Sequence, residues 1–128
     1  MSSQNIKELS CPFCQEAQPI LENDLAFVRR DGFPVSEGHL LVCTKRHIPS
    51  FFAATKDELA AICELIRESE ALVERDNSPD GFNIGVNVGE AAGQTIMHVH
   101  VHVIPRYSGD VVDPRGGVRG VIPSKQKY

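Results

Sequence analysis

Three histidines alternate with valines in the segment 98–104, and this pattern limits the possible folds more than any other part of the chain. Successive side chains of a β-strand point to opposite faces of the sheet. A strand here would therefore place Val99, Val101 and Val103 in a core and line up three imidazoles on the other face. The segment predicts a half-buried strand whose polar face carries the chemistry.

The spacing of such a strand limits what the imidazoles can do together. Alternate residues lie roughly 6.6 Å apart and the outer pair roughly 13 Å apart, whereas bonds from a metal ion to its ligands are about 2 Å long. This argues against one catalytic zinc held by all three, and no following glutamate supports a cupin-like site. Neutral imidazole is a nucleophile toward phosphorus, and its usual pKa of about 6.5 leaves much of it neutral at pH 7. His100, the central residue, has a neighbour on each side.

The remaining chain predicts one long helix among several strands. Thr55 and Glu58 have the spacing of a capping box, and the helix should end near Asp76. Its apolar stripe comprises Leu59, Ile62, Cys63, Ile66 and Val73. Further strands are predicted over residues 25–30, 39–43 and 82–88. The pattern predicts an α+β fold with a mostly antiparallel sheet of about five strands, one long helix and a short one.

The chain has 128 residues, which is enough for one hydrophobic core, so we predict a single domain over residues 1–128. Its core would span about 11–104, followed by a basic C-terminal tail over 105–128. Exposed strand edges favour pairing with a second copy, which is compatible with a homodimer but does not by itself establish one.

Charge and composition exclude several classes of protein. The net charge of −4 argues against a nucleic-acid binder, and no apolar run reaches the roughly 18 residues of a membrane span. Residues 1–10 lack the apolar core of a secretory signal. Four cysteines without such a signal favour a reducing compartment, so we expect a cytoplasmic protein.

The tail is basic, whereas the body is acidic. From residue 105 onward five basic residues face Asp110 and Asp113, a local charge of +3, which leaves −7 for the first 104 residues. The basic residues are Arg106, Arg115, Arg119, Lys125 and Lys127. Two interpretations stay open: a solvated tail, or a tail in which Arg106 neutralises charge on a small polyanion.

Cys11-x-x-Cys14 is half of a zinc site. Cys43 closes an apolar strand and Cys63 lies on the helix stripe, so both are expected to be core residues. His47 and His98 are better candidates for the other two ligands. A reduced thiol pair without metal is the alternative.

The alternating histidines of 98–104 match the motif of the histidine-triad (HIT) family at every position, and the chain resembles that family. Phe33 to Val42, with His39 inside it, looks like the family's first substrate strand, and Lys45-Arg46-His47 follows as expected. Ala92-Gly93-Gln94-Thr95 resembles the fragile-histidine-triad branch, which cleaves dinucleoside polyphosphates. The tail also looks like that of diadenosine-polyphosphate hydrolases. The resemblance covers about residues 11–128.

The resemblance implies catalytic roles for three histidines. His100 would attack the α-phosphorus of a nucleotide and form a covalent nucleotidyl-histidine, which water would then cleave. His102 would hydrogen-bond the phosphate or the leaving oxygen, and His39 would reach the same phosphate.

It also implies substrate contacts, for some of which a structural alternative exists. Asp31 would bind ribose hydroxyls, although Asp-Gly is also a strong turn signal. Asn87 would contact the substrate through its amide, although a strand hydrogen bond competes with that role. Gln94 and Thr95 would hold phosphate oxygens through side chain and backbone. Independently of the resemblance, Gly89 and Gly93 would let backbone N–H groups approach an anion.

The implied zinc ligands are Cys11, Cys14, His47 and His98. A closed set of four leaves no open position, so the zinc would be structural. Magnesium bound to the nucleotide substrate stays open as a second metal.

The implied function is a nucleotide hydrolase or transferase with a purine nucleotide or dinucleoside polyphosphate as partner. Gln94 favours a substrate such as diadenosine tetraphosphate. Alternatives are a phosphorylase, a nucleoside phosphoramidase, and a nucleotide-binding signalling protein with little turnover. A zinc module for protein or RNA contacts is weaker, because the body is acidic and aromatic residues are few.

Overall fold

The computed structural model describes residues 8–128. Residues 1–7, which fall within the segment where we predict no secretory signal, lie outside the described residues. Within the described part no helix combines the length and the apolar character needed to cross a membrane. The elements are β1 (Leu21–Glu22), β2 (Ala26–Arg30), β3 (Leu40–Thr44), α1 (Lys56–Asn77), β4 (Gly81–Val86) and β5 (His100–Arg106).

The strands form one antiparallel sheet in the order β1-β2-β3-β5-β4, which confirms the α+β prediction. In place of the expected short helix the described chain has 3₁₀ turns, over 51–53, 90–92, 117–121 and 123–125. The two-residue strand β1 was not predicted. The strand β5 starts two residues later than predicted, because the Val99 N–H donates to the Ile48 carbonyl instead of to a neighbouring strand.

The long helix begins and ends almost where the sequence predicts. Thr55 and Glu58 form the capping box, and Ser78 closes the helix in the left-handed conformation with a φ of 50°. The prediction for Cys63 was wrong, because its side chain is exposed. The buried face of α1 consists of Glu58, Ile62, Leu65, Ser69 and Val73.

The sheet has two differently covered faces. One packs against α1 and contains Val99, Val101 and Val103, as predicted. The other carries Phe27, Leu41 and Cys43, and the N-terminal residues Cys11, Phe13 and Cys14 cover it. Cys43 is therefore a core residue, as expected. The two faces separate a conventional apolar core from the face on which the histidines lie.

The C-terminal tail is folded back on the body. Its turn 117–121 contacts β4. Arg119 donates to the carbonyls of Lys125 and Gln126, and its guanidinium lies 4.7 Å from the centre of the Tyr128 ring. These contacts order the tail beside the outer strand.

Candidate functional site

The three alternating histidines lie on the sheet face opposite α1. His100 pairs with Cys43 and His102 with Leu41 in the register of β3 and β5, and both partners belong to that face. The ring centroids of His100 and His102 are 5.4 Å apart, and the ring planes are inclined by 65°. His98 and His100 are buried, whereas His102 is half-buried beside open cavities.

A backbone carbonyl fixes the tautomer of His100. Its Nδ1 lies 2.7 Å from the carbonyl oxygen of His98. A carbonyl only accepts hydrogen bonds, so Nδ1 carries the proton and donates it. In the neutral ring the opposite nitrogen, Nε2, then holds the free lone pair. This is the form of imidazole that can attack an electrophile.

A second backbone group fixes the tautomers of His39 and His102. The Val35 N–H donates to Nδ1 of His39 over 3.1 Å, so the His39 proton sits on Nε2. That nitrogen lies 2.9 Å from Nδ1 of His102 and 3.3 Å from Oδ2 of Asp31. When His39 donates to His102, the proton of His102 lies on its own Nε2.

The environment keeps both rings neutral. Burial lowers the pKa of His39 despite the nearby Asp31 carboxylate. Burial also lowers the pKa of His102, and the neighbouring His100 and His39 lower it further against Asp31. His39 is buried and bonded to His102. This contact links His39 to the polar face through His102, and the predicted role of His39 at the phosphate stays a prediction.

A cleft of about 360 Å³ opens beside the histidines. Its walls bring together five of the predicted site residues, which come from three separate parts of the sequence: Asp31, Asn87, Thr95, His100 and His102. The volume is within the usual range for a small-molecule pocket. The cleft therefore gathers these predicted residues around one space of ligand size.

Gln94 does not offer its side-chain amide to a ligand. Its Oε1 accepts from the Gly89 N–H, and its Nε2 donates to the carbonyls of Pro49 and Ile96. Both amide hydrogens are thus used, so none remains for a phosphate oxygen. In this arrangement Gln94 holds the loop 89–94 in place, and its predicted contact with phosphate stays a prediction that would require these hydrogen bonds to change. That loop needs glycine at both ends, where φ is 90° and 94°.

Arg106 is not a free cation at the reacting centre. Its guanidinium makes two 2.8 Å hydrogen bonds to Asp110 and a further one to Asn83. It also lies six residues from His100 along β5, about 20 Å at the rise of a strand. The Arg106 charge is balanced by Asp110 in this structure, and its predicted role toward a leaving group stays a prediction.

The four predicted zinc ligands meet in one cluster. One ligand atom each of Cys11, Cys14, His47 and His98 lies within 4.8 Å of the others. Nδ1 of His98 is 3.4 Å and 3.5 Å from the two sulfurs and 3.2 Å from Nδ1 of His47. A tetrahedral zinc with bonds of about 2.0–2.3 Å gives separations of about 3.3–3.8 Å. The cluster has the composition and dimensions of a metal site.

The outer nitrogens of both histidines have partners that suit metal binding. Nε2 of His98 donates to the Thr44 carbonyl over 2.7 Å, which leaves Nδ1 unprotonated. Nε2 of His47 lies 3.6 Å from the Glu8 carboxylate. The Glu8 N–H also donates to the sulfur of Cys14. Carbonyl and carboxylate partners of this kind orient histidine ligands in metal sites.

Phe13 is a site residue that the sequence reasoning missed. It lies between the two cysteines, and its ring stands edge-on to His100 with the centroids 4.8 Å apart. Arg29 covers it from the other side at 5.1 Å and donates to the Pro12 carbonyl. The cysteine turn therefore supports the ring of His100. Its position between the two cysteines of the predicted zinc half-site is the sequence signal that could have indicated this.

A second histidine cluster does not fit a metal equally well. Asp31, His39 and His102 bring ligand atoms together, but Nε2 of His39 carries a proton because Nδ1 already accepts from Val35. Magnesium prefers sets of oxygen ligands. Both candidate clusters within the described residues contain histidines, so the donor sets do not support magnesium held by the protein.

Comparison with known proteins agrees with this geometry. The HIT-domain family model matches residues 14–109. The chain belongs to the HIT-domain family. A crystal structure of a zinc-bound histidine triad family protein from Mycobacterium smegmatis superimposes with a TM-score of 0.73 at 30% identity, covering 82% of this chain and 81% of that one.

Two relatives with different names share the same sequence identity with this chain. A bis(5'-adenosyl)-triphosphatase of Dictyostelium discoideum is 33% identical over 96 residues, which are 75% of this chain and 64% of the relative. An adenylylsulfatase of Arabidopsis thaliana is 33% identical over 106 residues, which are 78% of this chain and 54% of the relative. The relatives of this chain thus include one protein named as a triphosphatase and one named as an adenylylsulfatase.

Proposed function

We propose that this protein is a nucleotide hydrolase or nucleotidyl transferase that acts at the α-phosphate through a covalent nucleotidyl-histidine on His100. One observation carries the proposal. The hydrogen bond from Nδ1 of His100 to the His98 carbonyl leaves Nε2 free as a nucleophile, and the ring lines the cleft.

The reaction takes two displacements at phosphorus. In the first, the Nε2 lone pair of His100 forms a bond to the α-phosphorus, and the leaving group departs with the electrons of the bond that breaks. In the second, water attacks the phosphorus, the P–N bond breaks and the nucleoside monophosphate is released. Neutral His100 is restored, and the proton of the water passes to solvent. A phosphorylase would differ only in using phosphate as the second nucleophile.

His102 supplies a hydrogen bond to the reacting phosphate group. With its Nδ1 occupied by His39, it presents an Nε2–H as donor. A fixed donor aimed at developing negative charge lowers the barrier more than a mobile one. His39 and Val35 act as positioning residues in this arrangement, because they set which nitrogen of His102 carries the proton.

The walls of the cleft provide groups for the nucleoside half. Asp31 can accept hydrogen bonds from ribose hydroxyls once a ligand draws it from His39. Its Oδ1 also accepts from the Phe33 N–H, so the predicted turn role and the binding role coexist in one side chain. Asn87 and Thr95 lie across the cleft, where their polar groups can meet the phosphate. A purine nucleotide is the partner we propose.

We also propose that the Cys11–Cys14–His47–His98 cluster binds zinc with a structural role. Bound there, zinc would tie the N-terminal turn to the sheet beneath the reacting histidines. The residues fit, as judged by the donor set, the separations and the partners of both imidazoles. Metal analysis of protein purified without chelator tests this, and protein free of zinc with all four side chains intact would refute it.

Two further parts of the proposal concern assembly and location. Within residues 8–128 no further strand pairs with the outer edge of β4, Ile84 on it is exposed, and it adjoins an open face of α1 that includes Cys63 and Ile66. A second copy placed on this side would cover both the edge of β4 and the open face of α1, which supports a homodimer. Sedimentation analysis tests it, and a monomer at micromolar concentration would refute it. A cytoplasmic location stays a prediction that rests on the cysteines.

The leading substrate is a dinucleoside polyphosphate such as diadenosine tetraphosphate, which the sequence resemblance and the triphosphatase relative support. The test compares the wild type with His100→Ala, using that substrate and release of nucleoside monophosphate as the readout. We expect the variant to lose turnover while keeping its fold, with Phe52→Ala, an exposed position, as the control. Undiminished turnover by His100→Ala would refute nucleophilic catalysis. Binding without turnover in the wild type would indicate the nucleotide-binding signalling protein instead.

A further inference from the structure

Three residues of the histidine face lie in one row across the sheet. Arg29 of β2 pairs with Leu41 of β3, and Leu41 pairs with His102 of β5. Neighbouring strands are about 4.8 Å apart, so Arg29 and His102 are separated by roughly 10 Å with Leu41 between them. All three residues line the cleft. A ligand that is held at His102 and lies along this row reaches Arg29.

The proposed ribose site lies next to the same row. Asp31 follows Arg29 by two residues, about 6.6 Å along an extended chain, and both side chains line the cleft. With the α-phosphate at His102 and the ribose at Asp31, the base of a nucleotide comes to lie against Arg29. Phe33, which is 91% exposed, also lines the cleft. An exposed aromatic ring in this place can stack on one face of the base.

The contacts of Arg29 orient its guanidinium and leave donors free. The guanidinium lies 5.1 Å from the centre of the Phe13 ring, and Nη1 donates to the Pro12 carbonyl over 3.3 Å. Nε lies 3.5 Å from the Glu16 carboxylate, and both side chains are partly exposed, so this ion pair contributes little. Within residues 8–128 the Nη2 group makes no hydrogen bond. Its hydrogens can therefore be donated to a ligand.

Arg29 is the single lysine or arginine among the described residues that line the cleft. Arg106, by contrast, makes two 2.8 Å hydrogen bonds to Asp110 and lines a different cavity. A base that approaches Nη2 of Arg29 does not have to displace a carboxylate from it. Arg29 is thus the cation of the cleft that is available to read a base.

Arginine donors distinguish purines by the group at position 6 of the base. Guanine presents two acceptors on one edge, O6 and N7, which a guanidinium binds with two parallel hydrogen bonds. Adenine presents N7 beside an amino group, and this amino group is a donor. A guanidinium has donors only, so adenine would place donor against donor. Hypoxanthine, the base of inosine, has the same O6 and N7 as guanine.

We infer that Arg29 is a specificity-determining residue that selects a 6-oxopurine, guanine or hypoxanthine, over adenine in this cleft. The inference rests on the proposed function and narrows its substrate from purine nucleotides to guanine-type nucleotides. The protein uses diguanosine polyphosphates in preference to the corresponding adenosine compounds. Arg29 contacts the base and takes no part in the displacements at phosphorus.

The test measures the binding of GMP, IMP and AMP to the full chain by titration calorimetry, because binding does not require turnover. GMP and IMP should bind about tenfold more tightly than AMP, near the lower end of the range for a bidentate arginine contact. IMP isolates position 6, since it lacks the 2-amino group of guanine. Equal affinities for all three nucleotides would overturn the inference. Tight binding of GMP with weak binding of IMP would also overturn it.

The matched variants are Arg29→Leu and Arg30→Leu, of which the second changes an exposed arginine of the same strand. Arg29→Leu should weaken the binding of GMP and IMP to the level of AMP and leave the affinity for AMP unchanged. Arg30→Leu should bind as the wild type does. An equal loss of affinity for GMP and AMP in Arg29→Leu would overturn the inference, because it would indicate a contact with phosphate or support of His100 through Phe13.

Arg29→Lys provides a second variant in case the leucine variant does not fold. It keeps the charge and a long side chain over Phe13, but it lacks the paired donors of the guanidinium. It should therefore also lose the preference for GMP and IMP over AMP. A preference that stays tenfold in Arg29→Lys would overturn the assignment to the two parallel hydrogen bonds.

Detection of the nucleotidyl-His100 intermediate separates this inference from the proposed function. The substrates are diguanosine tetraphosphate and diadenosine tetraphosphate. If both form the intermediate with equal kcat/KM and the three monophosphates bind equally, base selection by Arg29 alone is wrong. If neither forms it, the proposed catalysis fails, and a preference for GMP that Arg29→Leu removes would then still support Arg29 as the residue that reads the base.

Discussion

Glu58 links the long helix to the segment that carries a metal ligand, and its replacement tests how the site is supported. One oxygen accepts from the Thr55 N–H at 2.8 Å and from Nη2 of Arg46 at 2.7 Å, while the other accepts from Nε of Arg46 at 3.0 Å. The Glu58 side chain is buried, and Arg46 directly precedes His47. We predict that Glu58→Gln destabilises the protein by about 2–3 kcal/mol.

The size of this destabilisation follows from the interactions that the substitution removes. Removing one partner of a buried ion pair costs about 3–5 kcal/mol. The Arg46 side chain is 21% exposed, so water can partly replace its partner and the cost falls to the lower end of that range or below it. Glutamine still has an oxygen for the Thr55 N–H, so the cap is largely kept. Glu58→Ala loses both interactions, and we expect about 1 kcal/mol more.

The assay is urea unfolding, with Glu64→Gln as the matched control on an exposed turn of the same helix. We expect the control to change the free energy of unfolding by less than about 0.5 kcal/mol. Glu58→Gln should lower the midpoint of thermal unfolding by about 10 °C for a chain of this size. A loss below about 1 kcal/mol for Glu58→Gln would refute the reasoning.

The pH dependence provides a second check. The Arg46 hydrogen bond, helped by the Thr55 N–H, lowers the pKa of Glu58 in the folded protein. A folded-state pKa below the unfolded one means that the carboxylate stabilises the fold at neutral pH. That contribution is lost as the pH falls from about 4 through the lowered pKa. The difference in stability between the wild type and Glu58→Gln should therefore shrink in acid, and a constant difference would contradict the assignment.

Three further replacements have defined outcomes. Ser69→Ala should stabilise the protein by about 1 kcal/mol in urea unfolding, because the Ser69 hydroxyl is buried without a hydrogen-bond partner in the described structure. Cys11→Ser should lower both the unfolding temperature and the zinc content, while formation of the nucleotidyl-histidine changes less. An unchanged zinc content would contradict the metal assignment. Gln94→Leu should loosen the loop that the side chain holds to Gly89 and Pro49, so that amide exchange in the loop speeds up while protection of β5 stays unchanged.

The period and spacing of residues were enough to predict those parts of the structure that depend on the local sequence pattern. The alternation in 98–104 predicted which face the valines and histidines would take, and the capping box predicted where α1 begins. The two-residue strand β1 has no such pattern, because it is too short to show a period. Cys63 was misplaced because one helical residue turns the side chain by 100°, so a stripe read one position too wide includes an exposed residue.

The hydrogen-bond partners in the site could not be predicted in the same way. The tautomer of His102 depends on Val35 through His39, a relation between three segments that only the tertiary structure brings together. The type of a residue also shows which contacts its side chain can make, but not which of them it makes in the folded protein. Gln94 and Arg106 can both bind phosphate, yet backbone carbonyls occupy the amide hydrogens of one and Asp110 balances the charge of the other.

The nucleophile itself can be identified in one measurement. The protein is mixed with a nucleotide substrate labelled at the α-phosphorus, quenched within the first turnover, and digested for peptide mass spectrometry under conditions that preserve phosphorus–nitrogen bonds. We predict a single nucleotidyl group on His100, attached to Nε2 and absent from His100→Ala. Label on His98 or His102, or full turnover without any labelled histidine, would contradict the account.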